Sequence, residues 1–479
     1  MRALIKVIIP ILIFTSCGEK KQTDTFNPIS KIGNDKTVKI DSIFSKYNQN
    51  TPGYAVAIIQ NGDTVFMKTY GMANPKKEIP ISPDTRFPIG SNSKQFTCMS
   101  ILLLEEQGKL NVDDPIKNYL PQLPEFAKNV TIKHLMQHTS GIMEFNPLLF
   151  LSGMNKNECN ITNDEIFSLI SKYTEPSFEA GDFFFYSNSA YVLLAKIIEQ
   201  ASKQTYADFV QENIFNPLSM NDSKVITAKN DYSNVAMGFE NHGNYRPVDC
   251  RMITTGASGI ITTLNDMIKW TNNYYDNQLG SKDQNLVNRM QTKGVLNNGD
   301  SLSYGLGLFI ENQCKQKVVW HGGSISGYTS NITLSPEHKT SIIVLSNTTD
   351  RIPYEHRFDI ARVLFDSCEI HPSDLFGEDE IRREFKKKQS EFTDKTVDFN
   401  GYIGKYTVDG FIKYFEIVKN NGKLIAKIDN KEFQLKQVFE DTFESLPMIF
   451  EFKRDKNGEI VSILLSGEKF RNLELGRNN

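Results

Sequence analysis

The chain has 479 residues and a formal net charge of −3, with an ordinary balance of apolar and charged residues. That length holds two or three domains with a substantial core, and a charge this close to neutral gives no electrostatic footprint for nucleic acid. Six widely scattered cysteines, with no C-x-x-C and no paired histidine spacing, argue against a zinc site or a disulfide framework.

At the N-terminus Arg2 and Lys6 precede the apolar run Val7 to Phe14, followed by Thr15, Ser16, Cys17 and Gly18. A short charged-then-apolar segment over residues 1–17 reads as an export signal rather than a transmembrane helix. The small residues before Cys17 resemble a bacterial lipobox, although Phe14 replaces the usual aliphatic residue. That resemblance implies lipidation at Cys17 and a periplasm-facing lipoprotein that meets the membrane through its lipid anchor alone. Residues 18–34 read as a polar, flexible tether, and the later apolar runs are too short and interrupted to span a bilayer.

A helical lead-in around Val38 to Lys46 precedes a strand at Gly53 to Gln60. The turn Asn61-Gly62-Asp63 returns the chain antiparallel through Thr64 to Tyr70. Next, Phe87 to Thr97 reads as the end of an extended segment, a glycine pivot at Gly90 and the first turn of a helix. The following residues are apolar through Leu104 and stop at Gly108, which describes a largely buried helix with Ser91 at its start. Ser91 and Lys94 are three apart and share a face. A serine hydroxyl needs a base to become a nucleophile, and a lysine serves only if desolvation or nearby positive charge lowers its pKa. A buried helix start offers both conditions. The pattern alone is weak: an N-cap serine with a solvated lysine satisfies it, and Ser466-Gly467-Glu468-Lys469 repeats it in a polar turn. Cys98, on the buried helix, reads as a small core residue.

The middle of the chain is helical and loop-rich. His134 and His138 are four apart but lack a Glu-x-x-His arrangement or a third ligand, so they read as packing and turn-forming residues. Tyr186-Ser187-Asn188 sits in a tight turn ahead of an amphipathic helix, Ser189 to Ser202. Tyr232-Ser233-Asn234 repeats that triplet without a helix behind it. Gly256-Ala257-Ser258-Gly259 precedes a helix from Leu264 to Tyr275, and Val318 to Tyr328 joins a strand to a turn rich in glycine through His321-Gly322-Gly323-Ser324. Strands at Asn331 to Leu334 and Ser341 to Leu345 flank another hairpin turn. Strands at both ends of a helical middle predict an α+β domain over residues 35–375, with one antiparallel sheet flanked by helices and a helical lobe. A charged linker over 376–391 leads to a small all-β, barrel-like domain over 392–479.

Ser91-x-x-Lys94, Tyr186-x-Asn188 and His321-Gly322-Gly323 stand in an order that resembles the three motifs of the penicillin-recognising serine hydrolases. His138-Thr139-Ser140-Gly141, Gly256 to Gly259 and Tyr304-Gly305-Leu306-Gly307 resemble further stretches of the branch holding class C β-lactamases, DD-peptidases and D-aminopeptidases. The resemblance implies the β-lactamase/transpeptidase-like fold, Ser91 as acylated nucleophile and Lys94 as its proton-transfer neighbour. Tyr186 would be the general acid–base partner, and its phenolate would need adjacent cations at neutral pH. Asn188 would hold Lys94 and the substrate amide, and the N–H groups of Ser91 and Ser324 would form an oxyanion hole beside Gly322 and Gly323. No metal or organic cofactor is implied. His321 replaces the lysine of class C β-lactamases, a departure shared with D-aminopeptidases, DD-peptidases and related esterases. The expected function is therefore a D-amino-acid-specific peptidase acting on peptides or cell-wall fragments. The alternatives are an esterase or weak β-lactamase, and a lipid-anchored penicillin-binding sensor without turnover.

Overall fold

A computed structural model describes residues 29–157, 159–227, 234–248, 253–281, 285–313, 316–350, 355–365, 398–467 and 469–478. The export signal, Cys17, the charged linker and Tyr232-Ser233 lie outside the described residues.

Strands Ile29–Ser30 (β1), Tyr54–Gln60 (β2), Asp63–Tyr70 (β3), Phe309–Gln313 (β4), Gln316–Ile325 (β5), Tyr328–Ser335 (β6) and Thr340–Ser346 (β7) form one sheet. Their order is β1-β3-β2-β7-β6-β5-β4, antiparallel throughout. The longer helices are Asn34–Phe44 (α1), Lys94–Glu106 (α2), Phe145–Ser152 (α3), Asn163–Lys172 (α4), Asn188–Ser202 (α5), Leu264–Asp276 (α6) and Glu355–Leu364 (α7). Side chains alternate between the two faces of a strand. Tyr54, Val56, Ile58, Ile342 and Val344 accordingly pack on Ile40 and Phe44 of α1 and Ile360 of α7. Ala55, Ala57, Ile343 and Leu345 face the larger core that contains α2 and α5. With both faces covered, β2 and β7 read as nearly unbroken apolar runs. Helix α2 is buried from Lys94 to Leu104, which is why its sequence shows no polar stripe.

Residues 29–34 correct the tether boundary. Ile29 and Ser30 pair with Met67 and Phe66, and Lys31 N donates to Val65 O at 2.6 Å. Strand β3 would otherwise leave an unpaired edge, which an extended segment can satisfy with backbone bonds whatever its side chains. A second correction concerns the cysteines. Cys159 is held in a disulfide whose partner lies outside the described residues, a pairing made by the fold and invisible in sequence spacing.

The C-terminal domain is a closed eight-stranded barrel of consecutive antiparallel strands: Gly404–Thr407 (β8), Tyr414–Asn420 (β9), Lys423–Ile428 (β10), Lys431–Phe439 (β11), Thr442–Ser445 (β12), Met448–Arg454 (β13), Ile460–Gly467 (β14) and Phe470–Asn478 (β15). Leu424, Ala426 and Ile428 point inward and alternate with more exposed residues along β10. Edge-to-face pairs such as Phe415–Phe450 and Phe443–Phe452 fill the interior. The barrel docks on the helical lobe. Glu474 N donates to the Tyr173 hydroxyl, Asn472 Nδ2 to Ser177 O, and Ile412 N and Lys413 N to Leu151 O at the end of α3.

Candidate active site

The site begins where a 3-10 turn, Gly90–Ser93, runs into α2. Gly90 has φ +52, and a Cβ there would lie 3.0 Å from Ser324 N; a Cβ on Gly323 would lie 1.9 Å from Ile89 O. Glycine at both positions lets β5 lie directly against the turn that carries Ser91. Ser330 ties the two together, donating through Oγ to Ile89 O at 2.8 Å and accepting from Asn92 Nδ2 at 2.7 Å.

Lys94 is fully buried. Its Nζ donates to Asn188 Oδ1 at 2.8 Å and Ala257 O at 2.9 Å, and lies 3.2 Å from Ser91 Oγ. Burial pulls the Lys94 pKa down to about 7, with the Glu144 charge pulling the other way. A neutral amine has two N–H groups and one lone pair. The two N–H groups are taken by Asn188 and Ala257, so the lone pair faces the serine. Gly256, beside Ala257, comes so close to Tyr191 that a Cβ would sit 2.2 Å from Tyr191 O. This is the physical reason for the small residues of that loop.

Tyr186 lies 4.8 Å, ring centroid to Lys94 Nζ, from the lysine, and its hydroxyl is hydrogen-bonded to Ser91. Burial pushes the phenol up, opposed by Ser91 and reinforced by the Glu144 charge. Tyr186 is therefore a neutral phenol at neutral pH, which sets aside the phenolate that sequence reasoning entertained. Ser187 caps α5, accepting from Ala190 N. Beneath it, Glu144 Oε2 accepts from Ser187 Oγ at 3.1 Å, Asn188 N at 2.9 Å and Ser189 N at 3.1 Å. A carboxylate at a helix N-terminus meets unpaired N–H groups and the positive end of the dipole. Burial still raises the Glu144 pKa, against those bonds and the Lys94 charge.

His321 of β5 belongs to a second chain of bonds. His138 Nδ1 accepts from Ser187 N at 3.0 Å, so its proton sits on Nε2, 3.2 Å from the Tyr304 hydroxyl. Tyr304 Oη lies 3.2 Å from His321 Nε2, and His321 Nδ1 lies 2.6 Å from Gly322 O, a carbonyl that only accepts. The proton positions follow: His138 donates to Tyr304, Tyr304 to His321, and His321 to Gly322. Both imidazoles are neutral. Burial, then the Lys94 charge, lowers His321 to about 3 and drives His138 well below its ordinary value.

Ser91, Lys94, Tyr186 and Asn188 are thus brought together, with His321 and Gly322 on the adjoining strand and Gly323 and Ser324 against the Ser91 turn. Residues 40–364 match the family model described as Beta-lactamase. The chain belongs to the beta-lactamase family. Within that family it is 27% identical to Penicillin-binding protein 4* of Bacillus subtilis (strain 168) over 392 residues, covering 78% of this chain and 83% of the relative. It is 30% identical to Protein flp of Staphylococcus aureus (strain MRSA252), covering 66% of this chain and 64% of that protein. The octameric penicillin-binding protein homologue from Pyrococcus abyssi superposes with a TM-score of 0.59 at 25% identity, covering 92% of this chain and 98% of the other. The D-amino acid amidase from Ochrobactrum anthropi SV3 shares the fold, with a TM-score of 0.58 at 23% identity, covering 69% of this chain and 98% of the other.

Three residues of this beta-lactamase-family site escaped assignment from sequence. His138 was visible as part of His138-Thr139-Ser140-Gly141 but read as a turn former; it has φ +60 and does turn the chain, while its ring reaches Tyr304. Tyr304 opened a glycine-rich stretch without an evident role, and Glu144 carried no signal. His134, by contrast, is a helix-capping residue: its N donates to Thr131 Oγ1 and its Nδ1 accepts from Thr131 N. Among the described residues no cluster of three metal-ligating side chains occurs, and no helix is long and apolar enough to cross a membrane.

Proposed function

We propose that this chain is an exported serine hydrolase that cleaves amide or ester bonds through a Ser91 acyl-enzyme, with D-amino-acid peptides or amides as its substrates. The observation that carries the reading is the Lys94 amine, desolvated to a pKa of about 7 with its lone pair facing Ser91 Oγ at 3.2 Å. In the acylation step the neutral amine takes the Ser91 proton as Oγ attacks the carbonyl carbon. The Tyr186 phenol, hydrogen-bonded to Ser91, then passes its proton to the departing nitrogen or oxygen and takes up the proton that Lys94 had removed, so that amine and phenol are both neutral again in the acyl-enzyme. The N–H groups of Ser91 and Ser324 receive the developing oxyanion, the first at the positive end of α2. Water repeats the sequence in reverse to free the acid.

The neutral state of His321 narrows the substrate. A lysine at that position would offer a cation to a free substrate carboxylate, whereas a neutral imidazole already committed to Tyr304 and Gly322 offers none. That favours D-amino-acid amides and aminopeptidase-type substrates over carboxypeptidase substrates and β-lactams. It also gives the esterase reading its support, since simple esters need no carboxylate anchor. Export is supported by the signal-like N-terminus and by the Cys159 disulfide, a linkage typical of oxidising compartments.

The test is intact-protein mass after exposure to a serine-reactive phosphonate and, separately, to a penicillin, for wild type and Ser91→Ala. A single adduct on the wild type and none on Ser91→Ala is expected. Full activity of Ser91→Ala, or labelling of it equal to wild type, would sink the mechanism.

A further inference from the structure

The barrel has an end that no part of the mechanism uses. In a barrel of consecutive antiparallel strands, alternate turns lie at the same end, so residues 408–413, 429–430, 446–447 and Lys469 share one rim. Helix α3 lies across that rim, where Ile412 N and Lys413 N bond to Leu151 O and the Lys413 ammonium sits 4.3 Å from the Phe150 ring centroid. Between helix and rim is a cavity of about 420 Å³, within the size range of small-ligand pockets. Its walls are Phe415, Ile428, Leu465 and Leu473 from the barrel, with Pro147 and Phe150 from α3. Large apolar side chains stand exposed around the opening: Phe150 at 38%, Ile412 at 77% and Leu446 at 78%. Such clustering on one rim marks a binding surface.

The charges on the rim select the ligand. Lys413 is paired with Asp429 at 2.6 Å, but Lys431 and Lys469, which border the cavity, form no ion pair among the described residues. We propose that this mouth binds a single-chain anionic amphiphile, a long-chain carboxylate whose tail enters the cavity and whose head meets Lys431 and Lys469. An apolar cavity holds the chain through area removed from water, and two ammonium groups at its lip reward a carboxylate over a neutral head. The bound tail lies beneath α3, whose N-cap is Glu144, the carboxylate that organises Ser187 to Ser189.

The experiment titrates the full chain with dansyl-labelled undecanoate and follows its fluorescence, then competes it with palmitate and with hexadecanol. Saturable one-to-one binding is expected, with palmitate displacing the probe at least about tenfold better than the alcohol. Met448→Trp, which fills the cavity from a half-buried position, should abolish binding while keeping the wild-type circular dichroism. The double variant Lys431→Glu/Lys469→Glu should bring acid and alcohol to equal affinity. The proposal is overturned if no saturable binding occurs, if Met448→Trp binds as wild type does, if palmitate and hexadecanol compete equally on the wild type, or if only intact anionic vesicles are bound.

Discussion

Ser91-x-x-Lys94 and Ser466-x-x-Lys469 have the same spacing and opposite surroundings. In the first, the lysine is fully buried at a helix start, its N–H groups taken by Asn188 and Ala257, and its pKa lowered to about 7. In the second, the serine ends barrel strand β14, its Oγ accepts from Asn472 N at 2.9 Å, and the lysine is exposed on the rim. Spacing brings a hydroxyl and an amine within reach of each other. Only desolvation with fixed acceptors turns the amine into a base.

The largest effect expected from that contrast is at Lys94. Lys94→Met should lower kcat/KM by about a thousandfold or more, and Ser466→Ala, in the second copy of the pattern, should leave it unchanged; equal losses would erase the distinction. Stability should move the other way. Below about pH 7 the folded chain holds a buried ammonium at a cost. Between about 7 and the unperturbed 10.5 the unfolded chain binds the extra proton, so that cost fades as pH rises. Lys94→Met should accordingly raise Tm more at about pH 6 than at about pH 10, as thermal melts at the two pH values would show.

A smaller effect is expected at Tyr304. Tyr304→Phe leaves His138 Nε2–H and His321 Nε2 without their shared partner, at a cost of about 1–3 kcal/mol in stability and about tenfold in kcat/KM. Denaturant melts and steady-state kinetics on an ester would measure both, and a neutral outcome would remove the histidine bridge from the site. The smallest effect is a displacement without a large loss of rate. The base form of Lys94 grows as pH rises through about 7, and kcat/KM should climb with it. Because the Glu144 charge holds that pKa up, Glu144→Gln should carry the acid limb of the profile to lower pH. An unmoved limb would mean that Lys94 is not the titrating base.

The parts of this site readable from sequence are those where one local pattern carries the chemistry. Ser91 and Lys94 share a helix face, Asn188 opens a helix behind a capping serine, and His321 closes an apolar run ahead of glycines, although the strand itself continues through them to Ile325 rather than turning there. The sheet was readable as well, because β2 and β7 are apolar runs bounded by turns. What stayed hidden depends on contacts between distant segments. Glu144 meets Ser187 only through tertiary packing, and Tyr304 joins histidines from two different segments. The neutral state of Tyr186 was also beyond sequence, since burial fixes it. Ile29 and Ser30 show the converse: a polar, tether-like stretch became a strand because an open edge was waiting for it.

The pairing of β2 with β7 fixes when this domain can form during synthesis. Gly53, just before β2, donates its N–H to Asn347 Oδ1, 294 positions along the chain. Strand β2 has β3 on one side at once, but its other side has no partner strand until nearly the whole domain has left the ribosome. Closing so long a loop costs entropy before any contact repays it, which slows folding. The helices of the middle are made first and must wait, with the face that will cover the sheet still open, for the strands that arrive last.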